Sequence, residues 1–327
     1  MHYRTLGTTG PLVSAIGFGA MALVNGMYGS VEETSAIRIM QQAMGLGVNF
    51  IDTADAYANG SNEAWVGRAI QPHRDGVVVA SKFGIVFDPG VESRTLQTKW
   101  SNALPINGTP RYARQALDAT LQRLGTDYLD IWYLHFPDPA VPIEETVGAM
   151  SDAVTAGTVR HLALSNVTAG QVRRAHQVHP IVAVQYEYSL WARKAEVEVL
   201  PTTKELGIGF VPWAPLGSGF LTGEVQSIGE VDFRNNNPRF RGENLRTNFD
   251  RFAPIRQLAE DLSVTPAQLA LVWLLHQGQH VVPIPGTRNP AHLEQNLRAA
   301  DIPLTTDVLR ELGRIAPHDM AVGSQLL

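Results

Sequence analysis

Leu129-Asp130-Ile131-Trp132-Tyr133-Leu134 is followed at once by His135. Apart from Asp130 the run is apolar on successive residues, so it offers no solvent face. That pattern suits a parallel strand covered on both sides. Working outward, the same grammar recurs along the chain. Val48–Ile51 is followed by Asp52, Val77–Ala80 by Ser81 and Lys82, and His161–Leu164 by Ser165 and Asn166. Ile181–Val184 is followed by Gln185, Ile208–Val211 by Pro212 and Trp213, and Val281–Ile284 by Pro285 to Arg288. Ile16–Gly19 supplies the first run.

Helix signals fall between the runs. Ser30-Val31-Glu32-Glu33 reads as a capping box ahead of Ile37, Met40 and Met44, with Gly45 and Gly47 closing the helix. Thr109-Pro110 opens another that carries Ala113, Leu117, Leu121 and Leu124 and stops at Gly125. Thr168 to Gln171 repeats the box, and Thr265-Pro266 repeats the Thr-Pro start. Strand followed by helix, eight times over, predicts an α/β fold: one domain over residues 1–327, a single (β/α)8 TIM barrel. The competitor is a doubly wound sheet of the Rossmann type, but no G-x-G-x-x-G follows an early strand. Gly84–Gly108, Gly217–Asn248 and the tail after Ile315 read as long loops for the C-terminal face. The most polar stretch among them is Arg234-Asn235-Asn236-Asn237-Pro238-Arg239-Phe240-Arg241.

The 327 residues are 44% hydrophobic and 17% charged, enough for a large core and too apolar for a disordered chain. The net charge is −5 with no run of Lys or Arg, so nothing points to nucleic acid. No segment approaches the roughly 20 apolar residues of a membrane span. The stretch from Pro11 to Val24 is broken by Gly17 and Gly19 and lacks the basic flank of a signal peptide. The chain has no cysteine, which removes disulfides, thiol catalysis and Cys-ligated zinc together. These features are read as a cytoplasmic protein. The ten histidines are scattered without a close carboxylate cluster, so no metal site and no metal dependence are expected.

In a barrel, the residue behind each strand stands at the C-terminal mouth, where catalytic groups project. Any one of these polar residues is ordinarily a cap or a turn former. Together they describe a pocket ringed by an acid, an amine, an imidazole, amides and an indole. These residues carry a resemblance. Phe50-Ile51-Asp52-Thr53-Ala54-Asp55-Ala56-Tyr57, Ser81-Lys82-Phe83-Gly84, the run ending in His135, Leu164-Ser165-Asn166 and Gln185-Tyr186 all take part. So do Pro212-Trp213-Ala214-Pro215-Leu216-Gly217-Ser218-Gly219 and Pro285-Gly286-Thr287-Arg288 with Glu294-Gln295-Asn296. In order and spacing, from Gly17 to Asn296, the chain resembles the aldo-keto reductase superfamily. The segment from Pro142 to Met150 and Asn237-Pro238-Arg239-Phe240 resemble a microbial and plant branch that includes pyridoxal and perakine reductases.

The resemblance implies an enzyme that moves a hydride from NADPH to the carbonyl carbon of a small aldehyde or ketone while a proton is delivered to the oxygen. It implies Tyr57 as general acid, with Lys82 lowering a phenol pKa that is ordinarily about 10. Asp52 would keep Lys82 charged and aimed, and His135 would donate to the substrate carbonyl. Asp55 is a rival to Asp52, set aside because Asp52 stands at the strand end. Ser165, Asn166 and Gln185 match positions that bind the nicotinamide carboxamide, which needs a donor and an acceptor. Trp213 matches the aromatic that stacks on its ring. Leu216, Gly217, Ser218 and Gly219 would bring backbone N–H groups to the pyrophosphate. Gly286, Thr287, Arg288, His292, Gln295 and Asn296 match the adenosine end. Gly286 and His292 stand where many relatives carry a lysine and an arginine, which leaves Arg288 as the loop's cation for the 2′-phosphate. Phe136-Pro137 replaces a more usual polar pair, and Ala58 a more usual glycine.

Two other readings compete. One is a regulatory relative that binds the cofactor without catalysis; four intact catalytic positions speak against it. The other is a barrel enzyme of another class. A Schiff-base aldolase using Lys82 leaves Gln185, Trp213 and Thr287-Arg288 unexplained, and a metal-dependent hydrolase lacks its ligand cluster.

Overall fold

The computed structural model describes residues 1–100, 103–230 and 232–326. Seven parallel strands stand side by side in sequence order: Phe18–Gly19 (β1), Phe50–Asp52 (β2), Val78–Phe83 (β3), Leu129–Leu134 (β4), Val159–Ser165 (β5), Ile181–Glu187 (β6) and Gly209–Trp213 (β7). The eighth run, 281–284, closes the ring. Val282 and Ile284 donate their N–H groups to Phe210 and Pro212 of β7 at 2.9 and 3.3 Å. On the other side the carbonyls of Pro283 and Pro285 accept from Gly17 and Gly19 at 2.9 and 3.4 Å. Proline has no N–H to return, so the Gly17–Gly19 side is bonded in one direction only, whereas on the β7 side the Phe210 N–H also donates to the His280 carbonyl at 2.7 Å. The result is the expected (β/α)8 barrel.

Several strands run further than hydropathy suggests. Asp52, Lys82, Ser165, Gln185 and Trp213 lie inside β2, β3, β5, β6 and β7, not in the loops behind them. Main-chain pairing is indifferent to side-chain polarity, so a strand continues where its apolar pattern stops.

The caps divide. Thr109 accepts from the Tyr112 N–H at 3.3 Å to open helix Pro110–Leu124, and Gly125 ends it in a left-handed turn. Both the Thr168–Gln171 and the Thr265–Gln268 boxes form. The box at Ser30 does not: helix Glu33–Gly45 starts after Glu32 with no side-chain cap. Ser30 is drawn instead into a loop in which Asn25 Oδ1 accepts from Val31 and Arg288 holds the Ser30 carbonyl.

A hairpin that the sequence did not announce, Tyr3–Thr5 paired with Leu12–Ser14, plugs the N-terminal mouth. Leu6 and Val13 are fully buried there against Phe50, Tyr133 and Val182. Gly7, at φ 70°, passes so close to Gly207 and Gly209 that a Cβ would stand 2.8 Å from their backbone. At the opposite mouth the loops carry structure. Gly84–Gly108 holds a hairpin, Arg94–Gln97 with Ala103–Ile106, while its Ser101 and Asn102 lie outside the described residues. Gly217–Asn248 holds short 3-10 turns and the start of helix Glu243–Arg251, while its Val231 lies outside the described residues. Asn248 exchanges two hydrogen bonds with Val322, and Arg251 holds the Met320 carbonyl. The tail thereby returns across the mouth and buries Leu326 against Trp100 and Phe136. Among the described residues, no single helix is long and apolar enough to cross a membrane.

Candidate active site

Lys82, fully buried near the end of β3, sits at the centre. Its ammonium donates to Asp52 Oδ1 at 2.5 Å, to the Thr53 carbonyl at 2.8 Å and to the Tyr57 hydroxyl at 3.3 Å. An ammonium has three donors, and all three are used. The second oxygen of Asp52 accepts from Gln185 Nε2 at 2.7 Å. His135 lies edge-on to Tyr57 with ring centroids 6.0 Å apart. The structure therefore brings Asp52, Tyr57, Lys82 and His135 together. Asp52, not Asp55, is the acid on the lysine.

The electrostatics follow from this geometry. Burial would lower the Lys82 pKa, but the charge of Asp52 and the Tyr57 hydroxyl outweigh it and hold the ammonium above its usual range. Burial pushes the Tyr57 hydroxyl upward, and the opposing pull of Lys82 is too weak to reverse it. Lys82 pulls the hydroxyl down as expected, but burial outweighs that pull and leaves Tyr57 protonated through the neutral range. Burial, then the charge of Lys82, holds His135 well below the ordinary histidine range. The imidazole is therefore neutral, and its Nδ1 has no partner among the described residues.

These groups open onto a cavity of about 990 Å³, at the upper end of ordinary ligand sites. Of the residues matched to catalysis or cofactor, only Lys82 and Gly217 do not line it. Lys82 stands behind Tyr57, and Gly217 is pressed onto the Trp191 indole, where a Cβ would meet Nε1 at 2.9 Å. Asn166, at φ 56°, donates to Ser165 Oγ and to the His135 carbonyl, both at 3.0 Å. Its Oδ1 accepts from Trp213 Nε1 at 3.2 Å, which fixes the indole at the cavity wall.

Two expectations about the loops change. The N–H groups of Gly217 and Gly219 are taken by the Ala214 and Leu216 carbonyls at 2.8 and 3.1 Å, so those two are turned away from any phosphate. Gly286 passes so close to Gly19 that a Cβ would stand 2.2 Å from its carbonyl oxygen. No lysine fits there without moving the backbone. Arg288 donates to the Tyr28 and Ser30 carbonyls at 2.5 and 3.1 Å, tying the 25–30 loop to the cavity rim. His292, Gln295 and Asn296 share helix Pro290–Arg298 and face the same end.

Sequence reading passed over Tyr28, Trp100, Phe233, Arg234 and Leu326, all of which line the cavity. Arg234 lay in the stretch already marked as most polar. It pairs with Asp232 at 2.7 Å and reaches the Ser218 carbonyl at 3.3 Å. Trp100, Phe136 and Leu326 form one apolar wall, and Phe136 stacks on His135 at 5.2 Å.

A sequence model described as the Aldo/keto reductase family matches residues 15–316. The chain belongs to the aldo/keto reductase family. This aldo/keto reductase is 41% identical over 322 residues to Probable aldo-keto reductase 1 of Glycine max, across 97% of this chain and 90% of that one. It is similar to the solved holo form of an aldo-keto reductase from Bacillus halodurans, with 26% identity, a TM-score of 0.77 and 97% of each chain covered. In fold it also matches a glycerol dehydrogenase from Gluconobacter oxydans, with 24% identity, a TM-score of 0.82 and 99% and 98% of the two chains covered. Membership makes the protein an oxidoreductase of the carbonyl-reducing kind, in a family that generally uses nicotinamide cofactors.

Proposed function

We propose that the protein reduces an aldehyde or ketone to the alcohol with NADPH, and that Tyr57 is the general acid. The observation that carries this reading is the Lys82 ammonium bonded at once to Asp52, Thr53 and the Tyr57 hydroxyl beneath the cavity. When bound, the dinucleotide supplies the hydride. The orphaned Nδ1 of His135 and the half-exposed indole of Trp213 are groups for which a ring and an amide in this cavity would be partners. Gln185 retains its Oε1 and Ser165 its hydroxyl for the carboxamide. Both N–H vectors of Asn166 are already used, so it offers an acceptor only.

Tyr57 delivers the proton. Its raised pKa keeps that proton in place until charge develops on the substrate oxygen. Lys82 then stabilises the phenolate through a contact that already exists, and Asp52 keeps the ammonium charged. Neutral His135 has one N–H to offer the substrate oxygen. An aldolase lysine must be uncharged to attack a carbonyl, and Lys82 is held charged, which disfavours that alternative.

At the adenosine end Arg288 is the cation for the 2′-phosphate. It gives one hydrogen of each terminal nitrogen to the 25–30 loop and keeps the other edge for a second partner. A cysteine-free carbonyl reductase fits the cytoplasm. The test is oxidation of NADPH and of NADH, followed spectroscopically over a panel of aldehydes, ketones, sugars and pyridoxal. Turnover with NADPH is expected. Tight cofactor binding with no turnover anywhere on the panel would replace this reading with that of a regulatory relative.

A further inference from the structure

Asp52 and Asp55 lie three residues apart on the segment that leads to Tyr57. Both stand beside Lys82: the Asp55 N–H donates to the Lys82 carbonyl at 3.1 Å. Only Asp52 receives the ammonium. Asp55 is 1% exposed, and its Oδ1 meets no hydrogen-bond partner among the described residues. An ionised carboxylate there would be a buried charge left partly unsolvated, which is costly.

Glu63, in the first turn of helix Ser61–Ile70, is fully buried and near enough for its charge to act on Asp55. One of its oxygens accepts from the hydroxyl of Ser81, the residue next to Lys82. The other accepts from Arg123 Nε at 2.6 Å. The Arg123 stem lies over Gly60, where a Cβ would stand 2.5 Å from its Cδ. Glu63 is thus held at both oxygens, by Ser81 and by Arg123, beside a second acid whose Oδ1 has no such partner. The other groups facing Asp55 are Arg123, Lys82, Tyr57 and Tyr112.

We propose that Glu63 is a positioning residue: clamped by Arg123 and Ser81, it keeps Asp55 as a neutral carboxylic acid, so that Lys82 stays committed to Asp52 and Tyr57. Two acids next to one lysine would otherwise compete for it. Burial first, and the charge of Glu63 second, push the Asp55 carboxyl well above the usual range, in agreement with this arrangement.

The first test reads protonation directly and does not depend on activity. Infrared difference spectra at neutral pH compare wild type with Asp55→Asn. The carbonyl stretch of a protonated carboxylic acid is expected to disappear in the variant. Loss of carboxylate bands alone would show Asp55 ionised and overturn the proposal. In Glu63→Gln the same protonated band is expected to vanish, because Asp55 ionises towards Arg123; its persistence would show that Glu63 is not what keeps Asp55 neutral. Carbon-13 labelling of aspartate carboxyls reads the same state in the unmutated chain, should a variant fail to fold. One aspartate must stay protonated at neutral pH, and finding all of them ionised overturns the proposal.

The second test rests on Tyr57 being the proton donor. Glu63→Gln places a new anion near Tyr57 and should move the alkaline limb of turnover upward by about one pH unit, the size of a nearby like charge. Asp55→Asn alone should leave that limb in place, and the double variant should restore it. A limb that stays shifted in the double variant would mean that Glu63 acts by packing alone. Retained infrared behaviour with no Tyr57-dependent turnover would leave Glu63 in its role and overturn the catalytic reading instead.

Discussion

Tyr57 stands at the head of three consecutive left-handed residues, Ala58, Asn59 and Gly60, at φ 49°, 52° and 87°. That turn swings the chain into helix Ser61–Ile70 and aims the hydroxyl back at Lys82. A left-handed alanine is unfavourable by about 1–2 kcal/mol, which accounts for glycine being the commoner residue where Ala58 stands. That Asp52, Tyr57, Lys82 and His135 come together was legible because each lies at or close behind a strand end. Arg288 was legible as a cation but not as a tether, since its two carbonyl partners lie 258 and 260 residues away and leave no local signal. Both roles give a prediction. Arg288→Ala should weaken NADPH by about ten- to a hundredfold, the value of one charged contact. NADH should weaken by less, because only the tether is lost for it. Titration of the intrinsic tryptophan fluorescence measures both. Equal weakening would mean that Arg288 acts through the 25–30 loop alone.

At the level of elements, β4 shows why one face of the barrel reads as function and the other as stability. His135 follows its C-terminal end, while Asp130 stands near its N-terminal end, 3% exposed. Asp130 accepts from Arg74 at 2.8 Å and from Arg160 at 2.9 Å, and the two guanidinium groups each stand 3.9 Å from the Tyr128 ring centroid. Asp130→Ala should cost about 3 kcal/mol, the low end for a broken buried pair because Arg160 is half exposed. Denaturant unfolding measures this, and turnover of the folded fraction should be unchanged; a loss of turnover without a loss of stability would tie Asp130 to the site. Hydropathy located the strands but not their ends, because it follows side chains while the ladder follows the main chain. It also located the eighth run, yet Pro283 and Pro285 reduce its pairing with the first strand to half a ladder. The N-terminal hairpin escaped because its strands are three residues each, too short for a period to show.

For the whole molecule, acid should be destabilising in a defined window. Burial holds His135 well below its ordinary pKa, and also lowers His161 and His280. As pH falls below about 6.5 the unfolded chain takes up these protons first. The stability they contribute is therefore fully present above that pH and is lost below it, by up to about 1.4 kcal/mol per pH unit for each group. Asp55 and Glu187, both raised by burial, work in the opposite sense: their contribution is present at low pH and is lost as pH rises through their folded values. His135→Gln isolates one group. Between about pH 7.5 and pH 5.5 its thermal midpoint should fall less than that of wild type; an equal fall would mean that His135 takes up its proton as readily in the folded protein as in the unfolded chain. The single barrel was legible from repetition alone. The tail was not, because its anchors Arg239, Asn248 and Arg251 lie more than sixty residues upstream. What unites these parts is the proposal that Tyr57 delivers the proton, from a site where Lys82 bonds both Asp52 and the Tyr57 hydroxyl. The most direct test is Tyr57→Phe, with turnover and NADPH affinity measured on the same preparation. Turnover should fall by about a hundred- to ten-thousandfold while the dissociation constant stays within about twofold; turnover near that of wild type would contradict the assignment of the acid.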